Sequence, residues 1–188
     1  MTKHVLVPIA DGTEEIEAVT VIDVLRRAGA EVTVASVDDL QVTAARGVRL
    51  VADCLIAPCL DKSYDLVVLP GGMPGAEHLR DSEPLKQILR RHSDSGRLVG
   101  AICAAPALVL EAHGLLEKRR VTCHPNHVKS LHDPSAAGER IRVDGTYVTS
   151  QGPGTAMDFA LKLVEMLFGR AHMEAVAGPM IVRIMDGH

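Results

Sequence analysis

Aromatic side chains are nearly missing from this chain of 188 residues, which has no Trp, two Tyr and two Phe. Its core cannot rest on stacked rings and must be filled by Val, Leu, Ile, Ala and Met. That composition suits parallel strands buried on both faces. A strong charge balance is also missing. The formal net charge of −4 and a pI near 6.1 leave no electrostatic footprint for nucleic acid or an anionic membrane. No apolar run reaches the roughly 20 residues of a membrane-spanning helix. The N-terminus opens on a strand-like VLVPIA rather than a signal peptide. The four cysteines (Cys54, Cys59, Cys103, Cys123) contain no CxxC pair and read as reduced thiols of a cytoplasmic protein. Internal repeats, low-complexity tracts and long linkers are absent as well.

What is present is ample apolar content, 47% of residues, with a mean hydropathy of +0.14. The length fits one α/β domain over 1–188. Apolar runs predict strands over 4–10, 31–37 and 65–69, short strands over 42–45 and 48–52, and a buried strand over 98–102. A weak strand is expected over 120–123, and a hairpin over 141–150 about Asp144-Gly145. Helical periodicity falls on 14–28, with Thr13 as cap and Gly29 as stop, and on 74–80, 83–93, 104–112 and 155–168. Strands alternating with helices mean a doubly wound, mostly parallel sheet with helices on both faces. Ligand sites in such sheets lie beyond the carboxyl ends of the strands. The turns at 10–12, 70–72 and 103 share that edge.

Cys103 stands between the 98–102 strand and the helix that follows, with no room for a loop. A sharp strand-to-helix turn lifts its side chain from the sheet edge. Backbone N–H groups of the new helix then face the sulfur, where they lower a thiol pKa and hold an oxyanion. A buried structural cysteine is the competing reading, and the turn alone does not choose. Glu17 falls between Val21 and Val24 on a helical wheel, so it points from an apolar sector. There its pKa would be raised and it could hold or move a proton. A surface Glu paired with Arg27 is the alternative, and the pattern alone prefers it. The same helix carries apolar residues at nearly every angle, which fits burial against the sheet and against a partner subunit.

The run from 69 to 75, LPGGMPG, has glycines that let backbone amides approach a ligand, though it is neither a Walker loop nor GxGxxG. An ordinary turn explains it equally well. His124, in CHPNH, could serve Cys103 as base or proton carrier. Cys123, His124 and His127 match no standard zinc spacing. His172-Met173-Glu174 has a His-x-Glu form but reads as solvated surface. Gly152 to Thr155 reads as a capped helix start.

Six stretches together resemble the DJ-1/PfpI superfamily, and within it the DJ-1 branch: ADGTEEIEAV (10–19), VLRRAGAEVTVAS (24–36), YDLVVLPGGMPGAEHL (64–79), GAICAAPA (100–107), TCHP (122–125) and TSQGPGTAMDFAL (149–161). The resemblance runs from about residue 3 to residue 180. It implies a flavodoxin-like sandwich that forms a homodimer. It implies that Cys103 is the reactive, oxidisable nucleophile with a protonated Glu17 beside it. Gly72 and Ala104 match the amides of the oxyanion pocket, and His124 matches the nearby histidine. Arg27 and Arg46 resemble arginines around the pocket and dimer contact. The activities implied are a glyoxalase needing no cofactor or metal, deglycation of glycated protein or nucleotide, and redox-regulated chaperoning of client proteins. The protease branch places a His directly after its nucleophile. Here Ala104 stands there, which argues against a peptidase.

Overall fold

The structure, a computed structural model, describes residues 2–182. Seven strands form one sheet: β1 (His4–Ile9), β2 (Glu31–Ser36), β5 (Cys54–Leu55), β6 (Leu66–Leu69), β7 (Leu98–Ile102), β8 (Ile141–Asp144) and β9 (Tyr147–Ser150). Their order is β5-β2-β1-β6-β7-β9-β8, and every pairing is parallel except β8 with β9. A separate antiparallel hairpin joins β3 (Gln41–Thr43) to β4 (Arg49–Val51). The helices are α1 (Glu15–Arg27), α2 (Gly75–Asp81), α3 (Glu83–Asp94), α4 (Ala156–Phe168) and α5 (Arg170–Ala177).

Period-two alternation sorts each central strand between two cores. Val5, Val7, Ile9, Leu66 and Val68 pack with α1, α4 and α5. Leu6, Val67, Leu69, Val99 and Ala101 pack with α2, α3 and the segment after Cys103. The missing aromatics matter at one place. Phe159 is fully buried, and an ideal Cβ on Gly100 would stand 3.2 Å from its Cζ. The glycine in β7 makes room for the ring.

Three local expectations are corrected. Residues 120–123 form no strand. Arg120 N donates to Asp144 Oδ2 and Thr122 N to Thr149 Oγ1, so side chains of β8 and β9 take the amides a ladder would use. Thr13 does not cap α1. The cap residue is Glu14, and Thr13 Oγ1 instead accepts from Ala10 N at 2.9 Å, closing the turn after β1. The helix after Cys103 is wound as a π-helical turn over Pro106–Glu111. Two elements carried too weak a signal to be anticipated, the two-residue β5 and the short α5. Among the described residues, no helix is long and apolar enough to cross a membrane.

Candidate active site

β1, β6 and β7 all end at one edge, where the strand order reverses direction between β1 and β6. Three turns meet there. Cys103 leaves β7 with φ 62°, a left-handed conformation that costs a non-glycine residue of order 1–3 kcal/mol. Both of its backbone polar groups are fixed. Its N–H donates to Ser150 O at 3.0 Å, and its C=O accepts from His124 N at 2.8 Å. The side chain is half-buried. Backbone amides of Gly72 and Ala104 are directed at the sulfur.

Glu17 sits on α1 and is fully buried. It does not pair with Arg27, which is exposed and bound to Asp23 at 2.6 Å. One Glu17 oxygen, Oε2, accepts from Gly71 N at 2.7 Å. The other, Oε1, is buried without a hydrogen-bond partner among the described residues. The carboxyl interacts with the Cys103 thiol, although no contact between them has full hydrogen-bond geometry. Burial pushes the Glu17 carboxyl up to about 7, against the pull of the Gly71 amide and the thiol.

Burial and then the Glu17 carboxylate push the Cys103 thiol up to about 12, outweighing the Gly72 and Ala104 amides. This corrects the expectation that the turn by itself gives a low-pKa thiol. The helix amides are in place, but burial and the neighbouring carboxylate outweigh them. The carboxyl, at about 7, therefore gives up its proton well before the thiol, at about 12.

The shift links the site to stability. The folded value near 7 exceeds the ordinary 4.5, so the native state binds more protons across that window. The contribution is full below 4.5 and is lost as pH rises through 7. Chemical denaturation of wild type and Glu17→Gln between pH 4.5 and 7.5 should show a decline in the wild type that the variant lacks. Equal slopes would mean that Glu17 titrates normally.

The remaining candidates divide. His124 joins the site through its backbone. Its ring is half-buried, and Nδ1 accepts from Asn126 N at 3.2 Å, which leaves the proton of a neutral ring on Nε2. Arg46 lies on the β3–β4 turn, where its N–H binds the Glu15 carboxylate at 2.9 Å. Arg27 is not brought here, since it ends α1, ten residues and about 15 Å of helix from Glu17. Cys123 is fully buried with its thiol on the His124 carbonyl. His172 Nε2 lies 2.9 Å from Ala28 O and its ring stacks on Phe168, so it ties α5 to α1. Thr155 Oγ1 takes the Gly152 amide at 3.1 Å, an ordinary capped start. Gly71 was missed as a site residue. Its amide holds Glu17, and a Cβ there would lie 2.6 Å from Cys103 Cβ. The double glycine after β6 carried that signal, but only Gly72 was read from it.

The DJ-1/PfpI family model matches residues 3–166. The chain is 47% identical over 188 residues to Protein DJ-1 homolog B of Arabidopsis thaliana, covering 99% of this chain and 43% of that protein. It thus spans less than half the length of that relative. It is 36% identical to the glutathione-independent glyoxalase DJR-1.2 of Caenorhabditis elegans, covering 94% of each. The solved structure of oxidized Toxoplasma gondii DJ-1 superposes with a TM-score of 0.94 at 45% identity, covering 97% of this chain and 100% of that one. The mostly parallel sheet is therefore the flavodoxin-like fold of these relatives, and the chain belongs to the DJ-1/PfpI family.

Proposed function

We propose that the protein converts small reactive dicarbonyls, such as methylglyoxal, to hydroxy acids without added cofactor. One observation carries this reading: the Cys103 sulfur faces two backbone amides, and beside it lies a buried Glu17 with an unpartnered oxygen. As sulfur attacks the aldehyde carbon, its proton passes to Glu17, and the Gly72 and Ala104 amides hold the new oxyanion. Glu17 returns that proton to the oxyanion, and as a carboxylate it then takes the proton of the former aldehyde carbon and delivers it to the neighbouring carbon, while the hydroxyl proton passes to the neighbouring oxygen, which turns the hemithioacetal into a thioester. Water cleaves the thioester, releasing lactate and restoring the thiol. No net oxidation occurs. His124 Nε2–H is a donor to the departing or attacking oxygen. On an early adduct of protein or nucleotide, the carbinol carbon first expels the amine, which takes up a proton, and the sulfur bonds in its place; the later steps are the same and amount to deglycation. The glyoxalase name of the C. elegans relative fits this reading. The test is lactate formation from methylglyoxal by chelated protein, and no lactate above a protein-free control overturns it.

A second reading has one observation behind it, the oxidized state named for the Toxoplasma relative. In this reading two equivalents of peroxide, reduced to water, take the Cys103 thiol of this chain to a sulfinate held by the same amides, and that state governs client binding in the cytoplasm. It stands if chelated protein makes no lactate while peroxide switches client binding on.

We also propose a homodimer. Ile16 and Val19 on α1 are 54% and 47% exposed, and Val48 and Val51 by the hairpin 48% and 71%. The hairpin is bonded to the start of α1 through Ala45 N to Thr13 O, so these side chains belong to neighbouring elements. An exposed apolar surface of this kind marks a partner site. Sedimentation near micromolar concentration should give twice the 20.1 kDa chain mass, and Val51→Asp should shift it toward one. A monomeric wild type refutes the claim.

A further inference from the structure

Two cysteines remain outside this site, and they lie together. Cys54 is half-buried on β5, the edge strand of the sheet. Cys59 is fully buried and ends the short 3-10 turn Ala57–Cys59. Both are free thiols, and their sulfurs are 3.7 Å apart. Two restraints hold this spacing. Ile56 N bonds Ser36 O, which pins the end of β5 to β2, and Cys59 N bonds Ile56 O, which closes the turn. Next to the pair, the Tyr64 hydroxyl is buried without a hydrogen-bond partner among the described residues and interacts with Cys59. The neighbourhood is apolar: Ile56, Cys59 and Tyr64 belong to one core cluster, with Cys54 and Leu60 packed against it.

We propose that Cys54 and Cys59 are a second redox site, separate from Cys103, that reacts with small hydroperoxides to form a reversible intramolecular disulfide. The half-exposed Cys54 meets the oxidant first. Its thiolate attacks the peroxide, the O–O bond breaks, and Cys54 becomes a sulfenic acid while an alcohol or water leaves. The buried Cys59 sulfur then attacks the Cys54 sulfur and expels water. Two thiols are oxidised by two electrons, and one hydroperoxide is reduced to alcohol and water. Two equivalents of a small thiol reopen the bond by exchange.

A disulfide needs sulfurs about 2.05 Å apart, so they must approach by about 1.7 Å. β5 can give that distance, since it is bonded to the sheet on one side only and is two residues long. The buried partner decides the product. Cys59 has no access to solvent, so its chemical outlet is the neighbouring sulfur. Burial, and then Cys59 itself, raise the Cys54 thiol above its ordinary value. Oxidation should therefore quicken as pH rises above neutral.

Trypsin cleavage after Arg49 and Lys62 leaves both cysteines in one peptide, 50–62, that contains no other cysteine. The wild-type protein is treated with hydrogen peroxide, alkylated under denaturing conditions, digested and weighed. The expected product is peptide 50–62 without alkyl groups and lighter by two hydrogens, returned to the doubly alkylated form by dithiothreitol. In Cys59→Ser, Cys54 should instead be trapped by dimedone as a sulfenic acid. A doubly alkylated peptide after Cys103 has been oxidised overturns the proposal. So does separate over-oxidation of the two cysteines, or a disulfide linking two chains.

Discussion

Glu17→Gln is expected to lower dicarbonyl turnover by about 10²–10⁴-fold, the usual contribution of a positioned proton carrier. The substitution keeps the shape and keeps an oxygen for the Gly71 amide, but a carboxamide cannot take up or return a proton. Its effect on the thiol should run the other way. The Glu17 carboxylate raises the Cys103 thiol by charge repulsion and by their contact. A neutral amide removes the repulsion and offers a donor, so the thiol should fall below 12 and alkylate faster near neutral pH. Disorder at this turn would also expose the thiol and speed its alkylation, so the reading requires that urea denaturation of Glu17→Gln match that of wild type in cooperativity. Cys103→Ser should abolish turnover and the fast alkylation together. The measurements are lactate production and alkylation rates for wild type and both variants after chelation. Full turnover in Glu17→Gln means that some other group moves the proton.

The sheet was legible because its central strands are written as apolar runs that end in sharp turns. Leu66–Leu69 and Leu98–Ile102 are buried almost throughout, and a run of that kind has few other uses in a chain of this size. Cys103 was legible for a related reason. A strand that passes into a helix without a loop leaves one residue at the corner, and that residue takes the positive φ. Glu17 was only half legible. Helical spacing put it among apolar residues, but the same pattern allowed a pair with Arg27. The choice came from tertiary packing, since Asp23 takes Arg27 and Gly71, 54 residues away, takes Glu17.

Features set by side-chain bonds across the fold were not legible. The 120–123 segment has strand-like residues, yet Asp144 and Thr149 claim its amides. Thr13 has the right identity for a cap and is used instead to close the preceding turn. The thiol pKa was misjudged for a physical reason as well. A helix N-terminus stabilises a thiolate only as far as burial and nearby charge allow. Here the neighbouring carboxyl competes for the same negative charge. The expectation that α1 is apolar all round also needs narrowing. Its exposed apolar residues are in the first turns, while Asp23, Arg26 and Arg27 are exposed farther along.

Gly71→Ala should disable the site while leaving the sheet intact. Gly71 does not have a positive φ, so its backbone conformation suits alanine. The cost is space alone. An added Cβ would stand 2.6 Å from Cys103 Cβ, 2.9 Å from Glu17 Oε2 and 3.0 Å from Ala104 N. The Glu17 carboxylate is the flexible neighbour and can swing away. The Cys103 Cβ and the Ala104 amide are held by the turn, itself fixed by the bonds to Ser150 O and from His124 N. Relief therefore requires the β6 loop to retreat, which carries the Gly71 and Gly72 amides away from carboxyl and sulfur together. A misplacement of about 1 Å in such an arrangement lowers turnover about 10²-fold. Overpacking of this kind costs about 1–3 kcal/mol of stability, which a folded domain of this size tolerates. Gly138→Ala is the control, since nothing lies within 4 Å of its added Cβ, and its turnover should match wild type. Lactate production and urea denaturation of the three proteins decide the matter. A folded Gly71→Ala protein with full turnover would show that neither the Gly71–Glu17 bond nor the close approach to Cys103 matters to the chemistry.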